Sequence, residues 1–447
     1  MIELIAQWNA AVNRIVWGPP MLILLMGTGV VLTVLTGFIQ FRHLGTALKE
    51  VLGKLTHKGT GQGTVTPFQA VSTALASTVG VGNIAGVATA IFLGGPGALF
   101  WLWVSGLLGM ATKFSEITIA LHYREPDETG TMRGGAMYIL KKGLGLPWLG
   151  TVFALLTALA AFGIGNMVQA NSVADSLRAS FNITPWMSGV VMVVLTGIVI
   201  IGGIKQIAKV TEILVPFMAI FYLLGGLTVI VLHLGELPGV IKLVLQGAFS
   251  GSAAAGGFAG STIMMAMRFG VARGLFSNEA GLGSAPMVHA AATTDHPARQ
   301  GMYGIFEVFV DTTLICTTTG LAILLTGVWN SGETGAALSA SAFAAGLPGN
   351  WGHLVVTVGL VLFAFSTIIG WSYYGETGIV YLFGARAAMP YRLAWLVFIY
   401  LGAVGSLHLV WDIADTLNGL MAIPNLIAVL ASIPVLLKLK REFFTTK

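Results

Sequence analysis

Residues 72–90 read Ser-Thr-Ala-Leu-Ala-Ser-Thr-Val-Gly-Val-Gly-Asn-Ile-Ala-Gly-Val-Ala-Thr-Ala. No Asp, Glu, Lys, Arg or His occurs from Gly59 to Thr112, so the length rule of roughly 20 apolar residues makes this stretch a membrane span. Its middle is a poor helix. Gly80 and Gly82 flank Val81, with Ser77, Thr78 and Asn83 around them, and glycine favours helix less than alanine by about 1 kcal/mol. An unwound turn in hydrocarbon leaves N–H and C=O groups bare, and lipid cannot satisfy them. Such a turn is tolerated where it lines a cavity filled by something polar or ionic. The half-helix after the break then offers N–H groups and a positive dipole end to an anion, while loosened carbonyls can hold a cation. The stretch points to a mid-membrane site for a carboxylate-bearing solute and a cation. Its blander reading is a glycine-rich packing face between helices.

The rest of the chain agrees with a membrane setting. Hydrophobic residues make up 55% of the 447 and charged ones 9%, against about 25% charged in a soluble domain. That composition implies an all-α polytopic membrane protein forming one domain over residues 1–447. The net charge of +5 comes from basic residues in loops beside spans and does not imply nucleic acid. Cys316 is the one cysteine, which excludes an internal disulfide and a cysteine metal cluster and reads as a buried packing residue. The N-terminus lacks the charged region and small-residue cleavage site of a removable signal peptide.

Taken in order, residues 1–17 form a short amphipathic lead whose Trp8 and Trp17 suit an interface. A leading span over about 18–41 and a basic loop complete residues 18–66. The broken span, 67–92, opens a first repeat over 67–234, with further spans near 98–122, 148–177, 185–202 and 207–234. Residues 236–255 read as a surface helix. A second repeat over 256–437 opens on another irregular span, 256–292, followed by spans near 302–329, 351–383, 391–408 and 411–437. That makes eleven spans. With the N-terminus outside, 17 of the 23 basic residues fall in inside segments, three in outside segments and three (Lys113, Arg268 and Arg273) within spans, as the positive-inside rule requires. Leaving out the leading helix, the first and sixth of ten spans are interrupted. Interruptions at matching places in two halves of five indicate an inverted 5+5 repeat with two broken helices.

Four further motifs carry candidate chemistry. The second break, Phe276–Gly283, holds Ser277, Asn278 and Glu279 at mid-span. A carboxylate there marks function by default, and ion pairing with Arg268, Arg273 or Lys113 is expected ahead of proton transfer. Asn166 and Gln169, three residues apart on one face, can meet a solute or bond to another helix. Ser366 and Thr367 can bond back to the preceding turn or supply hard oxygens to a small cation, with Trp371 four residues on from Thr367. Asp311, Glu307, Glu376, Asp412 and Asp415 have no assigned role, and His289 and His296 lack metal-ligand spacing.

The string Gly257-Phe258-Ala259-Gly260-Ser261-Thr262, followed by Arg273-Gly274-Leu275-Phe276-Ser277-Asn278-Glu279-Ala280-Gly281-Leu282-Gly283-Ser284, resembles the signature of the alanine or glycine:cation symporters. The string Ser77-Thr78-Val79-Gly80-Val81-Gly82-Asn83-Ile84-Ala85-Gly86 fits as well, and the resemblance covers nearly the whole chain. It implies sodium-driven uptake of alanine or glycine across a bacterial or archaeal inner membrane, with the inverted-repeat fold of the bacterial leucine transporter. By position it implies one sodium ion held by the carbonyls of Ala76, Val79 and Phe363 with Ser366 and Thr367. The substrate carboxylate would lie on the N–H groups near Gly80 and Gly82, beside Thr78. Its ammonium would meet carbonyls near Phe276, Ser277 and Asn278, with Gln169 as a side-chain partner and Phe276 and Trp371 closing the pocket. Asn83 matches a ligand of that fold's second sodium site, with no evident partners on the sixth and seventh core helices. Proton coupling through Glu279 and a passive channel are the competing transport readings. A membrane-embedded enzyme needs a nucleophile with its base, or a metal cluster, at membrane depth, and neither is found.

Overall fold

The computed structural model describes residues 2–250, 263–349, 351–405 and 408–445. The Gly257–Thr262 string, and with it the start expected for the second irregular span, lies outside them. Helices dominate. Proline occupies the first turn of Pro19–Leu35, Pro67–Thr78, Pro147–Ala161, Pro185–Ile200, Leu237–Phe249 and Pro297–Val308, where its missing N–H costs nothing and its fixed φ suits the helix. The sixteen-residue helix Pro185–Ile200 follows one such start.

Among the described residues, eight helices are long and apolar enough to cross a membrane, and Pro67–Thr78 with Gly82–Gly94 adds a bent pair, kinked by 51°. Three of the long helices, Gly97–Tyr123, Pro297–Leu325 and Trp351–Phe383, are 67% buried, while Gly203–Leu232 is only 28% buried. The first three therefore form the centre, and Gly203–Leu232 offers Ile213, Phe217, Ile220, Leu224 and Val231 outward, as a lipid-facing rim does.

The lead is the helix Ile2–Val16. Trp8 is exposed, but Trp17 is not the interface anchor expected of it. It is buried, and its indole N–H donates to the Asp415 carbonyl at 2.9 Å.

The loops leading into and out of the two irregular spans are bound to each other. Gln62 pairs with Thr294 and Val65 with Ala292 in isolated bridges. Arg124, just after Gly97–Tyr123, donates to the carbonyls of Ala290, Ala292 and Gln62. Gly59, Gly61 and Gly63 permit this: a Cβ on any of them would stand 2.1–2.5 Å from backbone atoms of Thr293 or Thr294.

Candidate functional site

The first broken helix begins under a capping box. Thr66 Oγ1 accepts from the Gln69 N–H and Gln69 Oε1 from the Thr66 N–H, both at 3.1 Å. It runs regularly to Thr78 and stops because the next amides are diverted. The Gly80 N–H donates to Asn83 Oδ1 (2.8 Å) and the Val81 N–H to Gln169 Oε1 (3.4 Å). The chain resumes as a π-turn, Gly82–Gly86, before Val87–Gly94. The carbonyls of Ala76 and Ser77 thus lose their helical partners. Both glycines are tightly faced: a Cβ at Gly80 would lie 2.5 Å from Thr367 Oγ1, and one at Gly82 would lie 3.3 Å from the Phe276 ring.

The second break follows the same logic. Helix Ile263–Asn278 ends where the Ala280 N–H turns to Asn278 Oδ1 (3.0 Å), the Gly281 N–H to Glu116 Oε1 (3.1 Å) and the Leu282 N–H to the Glu279 carbonyl (3.2 Å). The carbonyls of Phe276, Ser277 and Asn278 are left off the ladder. Glu279 itself takes φ +56°, an uncommon conformation for a non-glycine residue.

Five oxygens converge where the first break meets helix Trp351–Phe383. Ser366 Oγ lies 3.1 Å from the Ala76 carbonyl, 3.5 Å from that of Val79 and 2.8 Å from that of Phe363. Thr367 Oγ1 lies 3.1, 3.3 and 3.0 Å from the same three oxygens. Two hydroxyls carry two protons, yet each faces three acceptors. The cluster therefore has lone pairs in excess, in a buried place, which is the donor chemistry of a hard monovalent cation site. The back-bond to Phe363 and the bond across to the broken helix coexist. Thr78, by contrast, directs its hydroxyl back to the Ala74 carbonyl (3.2 Å).

Asp311 is the central residue that sequence reasoning passed over. It sits fully buried in the π-turn Phe309–Cys316. Asn83 Nδ2 donates to its Oδ1 at 2.6 Å, Ser277 Oγ approaches both carboxylate oxygens at 3.0 Å, and Thr312 Oγ1 donates to Oδ2 at 2.8 Å. Asn278 Nδ2 donates to Thr312 Oγ1 (3.1 Å). Asn83 thus has partners on the helix that follows the second break, and Asp311 links it there to Ser277 of the second broken helix. Cys316 Sγ, 3.3 Å from both Asn83 Nδ2 and Ser277 Oγ, belongs to this cluster and is more than packing.

The expected pairing of Glu279 is overturned. Its Oε1 accepts from the Trp371 indole N–H (2.8 Å) and its Oε2 from Ser284 Oγ (2.5 Å). Lys113 pairs instead with Glu307 at 3.0 Å, and Glu307 also meets His289 Nε2 at 3.1 Å, all three fully buried. Arg268 lies over the Phe269 ring and Arg273 over that of Phe276. Trp371 is buried and fixed in place. A Cβ at Gly165 would stand 2.1 Å from its own Cβ, so that glycine makes room for it. Gln169 is turned to the first break, its Nε2 anchored on the Ile164 carbonyl (3.0 Å), whereas Asn166 donates to the Trp395 carbonyl (2.9 Å) and takes the bland role. Above Phe276, a cavity of about 80 Å³ is bordered by Arg273, Trp411, Asp412 and Asp415.

The two breaks, the oxygen cluster and the buried Asp311 thus adjoin as one candidate site. Comparison with known proteins gives it a setting. The sodium/alanine symporter AgcS of Methanococcus maripaludis is 51% identical over 427 residues, covering 94% of this chain and 93% of that one. Among solved structures, MhsT in complex with L-phenylalanine matches with TM-score 0.59 at 13% identity, over 86% of this chain and 99% of that one. A Na⁺-coupled sialic acid symporter in a substrate-bound outward-open state matches with TM-score 0.55 at 13% identity, over 94% and 98%. These two share the fold, that of the leucine-transporter group. Relatives and fold are those of transporters, not enzymes. The description of the Sodium:alanine symporter family fits residues 2–447, essentially the whole chain, and the protein belongs to that family.

Proposed function

We propose that the protein couples sodium entry to the uptake of small neutral amino acids, alanine and glycine, by alternating access. The observation that carries this reading is the acceptor-rich cluster of Ala76, Val79, Phe363, Ser366 and Thr367, whose oxygens come from two different helices. Sodium replaces the hydroxyl-to-carbonyl contacts there. The substrate carboxylate takes the N–H groups about Gly80 and Gly82, and its ammonium the carbonyls freed at Phe276–Asn278. Phe276 and Trp371 bound the side-chain space, and the closeness of the Phe276 ring to Gly82 favours a short side chain. Asp311 with Asn83 and Ser277 supplies a second cation position, the negative charge suiting either sodium or a proton.

In the same reading the eight long helices, the bent pair, Pro185–Ile200 and the Ile263–Asn278 span make eleven crossings. One leads, and two inverted sets of five follow. The N-terminus lies outside and the C-terminus in the cytoplasm of a cell bounded by an inner membrane. The test is uptake of labelled alanine into proteoliposomes with and without a sodium gradient, with an amino-acid competition panel. Uptake that follows a proton gradient and ignores sodium would transfer coupling to Asp311 or Glu279. Absence of trans-stimulated exchange would make the protein a channel.

A further inference from the structure

The face that gathers the basic loops holds a second cavity, of about 380 Å³, bordered by none of the residues of the site above. Arg133, Lys205, Glu376, Arg386 and Arg392 border it. Its acids are engaged. Glu376 Oε1 accepts from Arg133 Nη2 (3.0 Å) and Arg392 Nη2 (3.0 Å), and its Oε2 from Arg392 Nε (2.7 Å). Arg133 also binds Asp127 at 2.6 Å. Those two guanidinium groups and two carboxylates balance. Lys205 and Arg386 add two cations, and neither has a carboxylate within 4.0 Å among the described residues. Glu128, whose carboxylate stands beside Gly384 at the rim, offsets one of them, so four cations face three acids.

Backbone geometry adds to the charge. Gly202 to Lys205 are the N-cap and first turn of Gly203–Leu232, and Ala388 and Met389 open Ala388–Val404. Neither start carries a side-chain cap, and all these residues border the cavity. The start of Gly203–Leu232 therefore brings free N–H groups and a positive dipole end to the same space as the cations, while Ala388–Val404 continues from the turn Ala385–Ala387. Gly203 (φ +67°) allows the Arg392 guanidinium to lie against this turn, since a Cβ would stand 2.9 Å from Nη2. Exposed Ile201, Phe383 and Met389 flank the basic groups, as acyl chains beside a headgroup would require.

We propose that this cavity binds a phosphate oxyanion, held by Lys205, Arg386 and the start of Gly203–Leu232. The adjoining apolar side chains favour the headgroup of an anionic phospholipid, and free phosphate shares the chemistry. A phosphate here would tie the start of Gly203–Leu232 to the turn Ala385–Ala387, just after the end of Trp351–Phe383, the helix that carries Ser366 and Thr367.

The test compares the whole protein with the double variant Lys205→Gln, Arg386→Gln. Both side chains are exposed and outside the transport site, so folding and alanine uptake in phosphatidylcholine vesicles should be unchanged. Native mass spectrometry after exchange into vesicles of phosphatidylcholine with phosphatidylglycerol reads retained lipid. Thermal unfolding in detergent with inorganic phosphate, against chloride at equal ionic strength, reads the free anion. Retention of phosphatidylglycerol should be roughly thirtyfold weaker in the double variant, each of the two juxtamembrane cations being worth about fivefold. The charge-preserving pair Lys205→Arg, Arg386→Lys should restore it. Stabilisation by phosphate that the Gln variant lacks, with equal lipid retention, would identify the soluble anion as the ligand. Wild type and Gln variant alike in both measurements would overturn the proposal.

Discussion

Replacing Thr367 by alanine tests the cation cluster at its most exposed assumption, that the hydroxyl is a ligand. Thr367 Oγ1 lies 3.0–3.3 Å from three carbonyl oxygens and its residue is 2% exposed, so no bulk water stands ready to take its place. Hydrogen bonds to charged groups contribute about 1.5–3 kcal/mol, and we take a hydroxyl–cation contact to be of that order. Loss of one ligand in five should then raise the sodium concentration for half-maximal alanine uptake by roughly tenfold or more. Ser366 Oγ remains, so the site is weakened and not abolished. Thr367→Val keeps the volume without the oxygen and should do at least as much harm, which separates coordination from packing. Thr367→Ser should stay near wild type. The assay is sodium titration of uptake in proteoliposomes at fixed protein level. Unchanged sodium dependence in both the Ala and Val variants refutes the assignment.

The other expectations concern the remaining parts. Gly82→Val drives a branched side chain into the Phe276 ring, 3.3 Å from where its Cβ begins. Alanine binding should vanish while expression stays near normal, and persistent uptake with unchanged affinity would reduce the break to a packing feature. Asp311→Asn keeps the shape but not the charge. It should alter the number of cations moved per alanine, measured by reversal potential, and an unaltered ratio removes Asp311 from coupling. Glu279→Gln can still accept from the Trp371 indole, so sodium-driven uptake should survive it; loss of uptake with intact protein would restore the proton-coupling reading. Lys113→Met leaves the buried Glu307 with His289 as its one remaining ionisable partner among the described residues, at a cost of about 3–5 kcal/mol, seen as a lowered thermal midpoint in detergent. Reporter fusions at Ser331 and Lys447 should give outside and inside activity respectively; outside activity at Lys447 refutes the eleven-span count.

What could be read from the sequence was what depends on local rules. Gly80-Val81-Gly82 marks its break because two glycines in three residues weaken any helix, and the structure bends there by 51°. Ser366 and Thr367 stand out as adjacent hydroxyls in an apolar run. Asp311 was passed over even though its own signal was present: a carboxylate nine residues inside an expected span is functional by default. Its partners could not be foreseen, because the π-turn Phe309–Cys316 rotates the helix face and Asn83 lies 228 residues away. Glu279 was misassigned for a related reason. Charge alone suggests a cation partner, but Lys113 is taken by Glu307, and a tertiary contact to the Trp371 indole satisfies the carboxylate. Trp17 followed the aromatic-belt rule into the wrong place, since the helix His408–Ala431 packs over it.

The arrangement also bears on why ion and substrate should move together. A ligand shifts a conformational equilibrium only by its differential affinity for the two states. The oxygen cluster is divided between the first broken helix and Trp351–Phe383, and a cation can be bound by all five oxygens only while those helices keep this spacing. Asp311 makes a second such division: Asn83 brings in the first broken helix, Ser277 the second, and the carboxylate belongs to the helix that follows. The Gly80 N–H, at the break itself, donates to the oxygen of that same Asn83 amide. On the proposed assignment, occupancy of either cation position and of the carboxylate position would depend on one set of helix distances. In the proposed function, movement of the first broken helix relative to Trp351–Phe383 and Phe309–Cys316 would part the oxygen cluster and the Asn83–Asp311 contact together, so the states that bind one ligand well would be the states that bind the others well. That shared dependence is what obligatory coupling requires, and it needs no wire of residues running between separate sites.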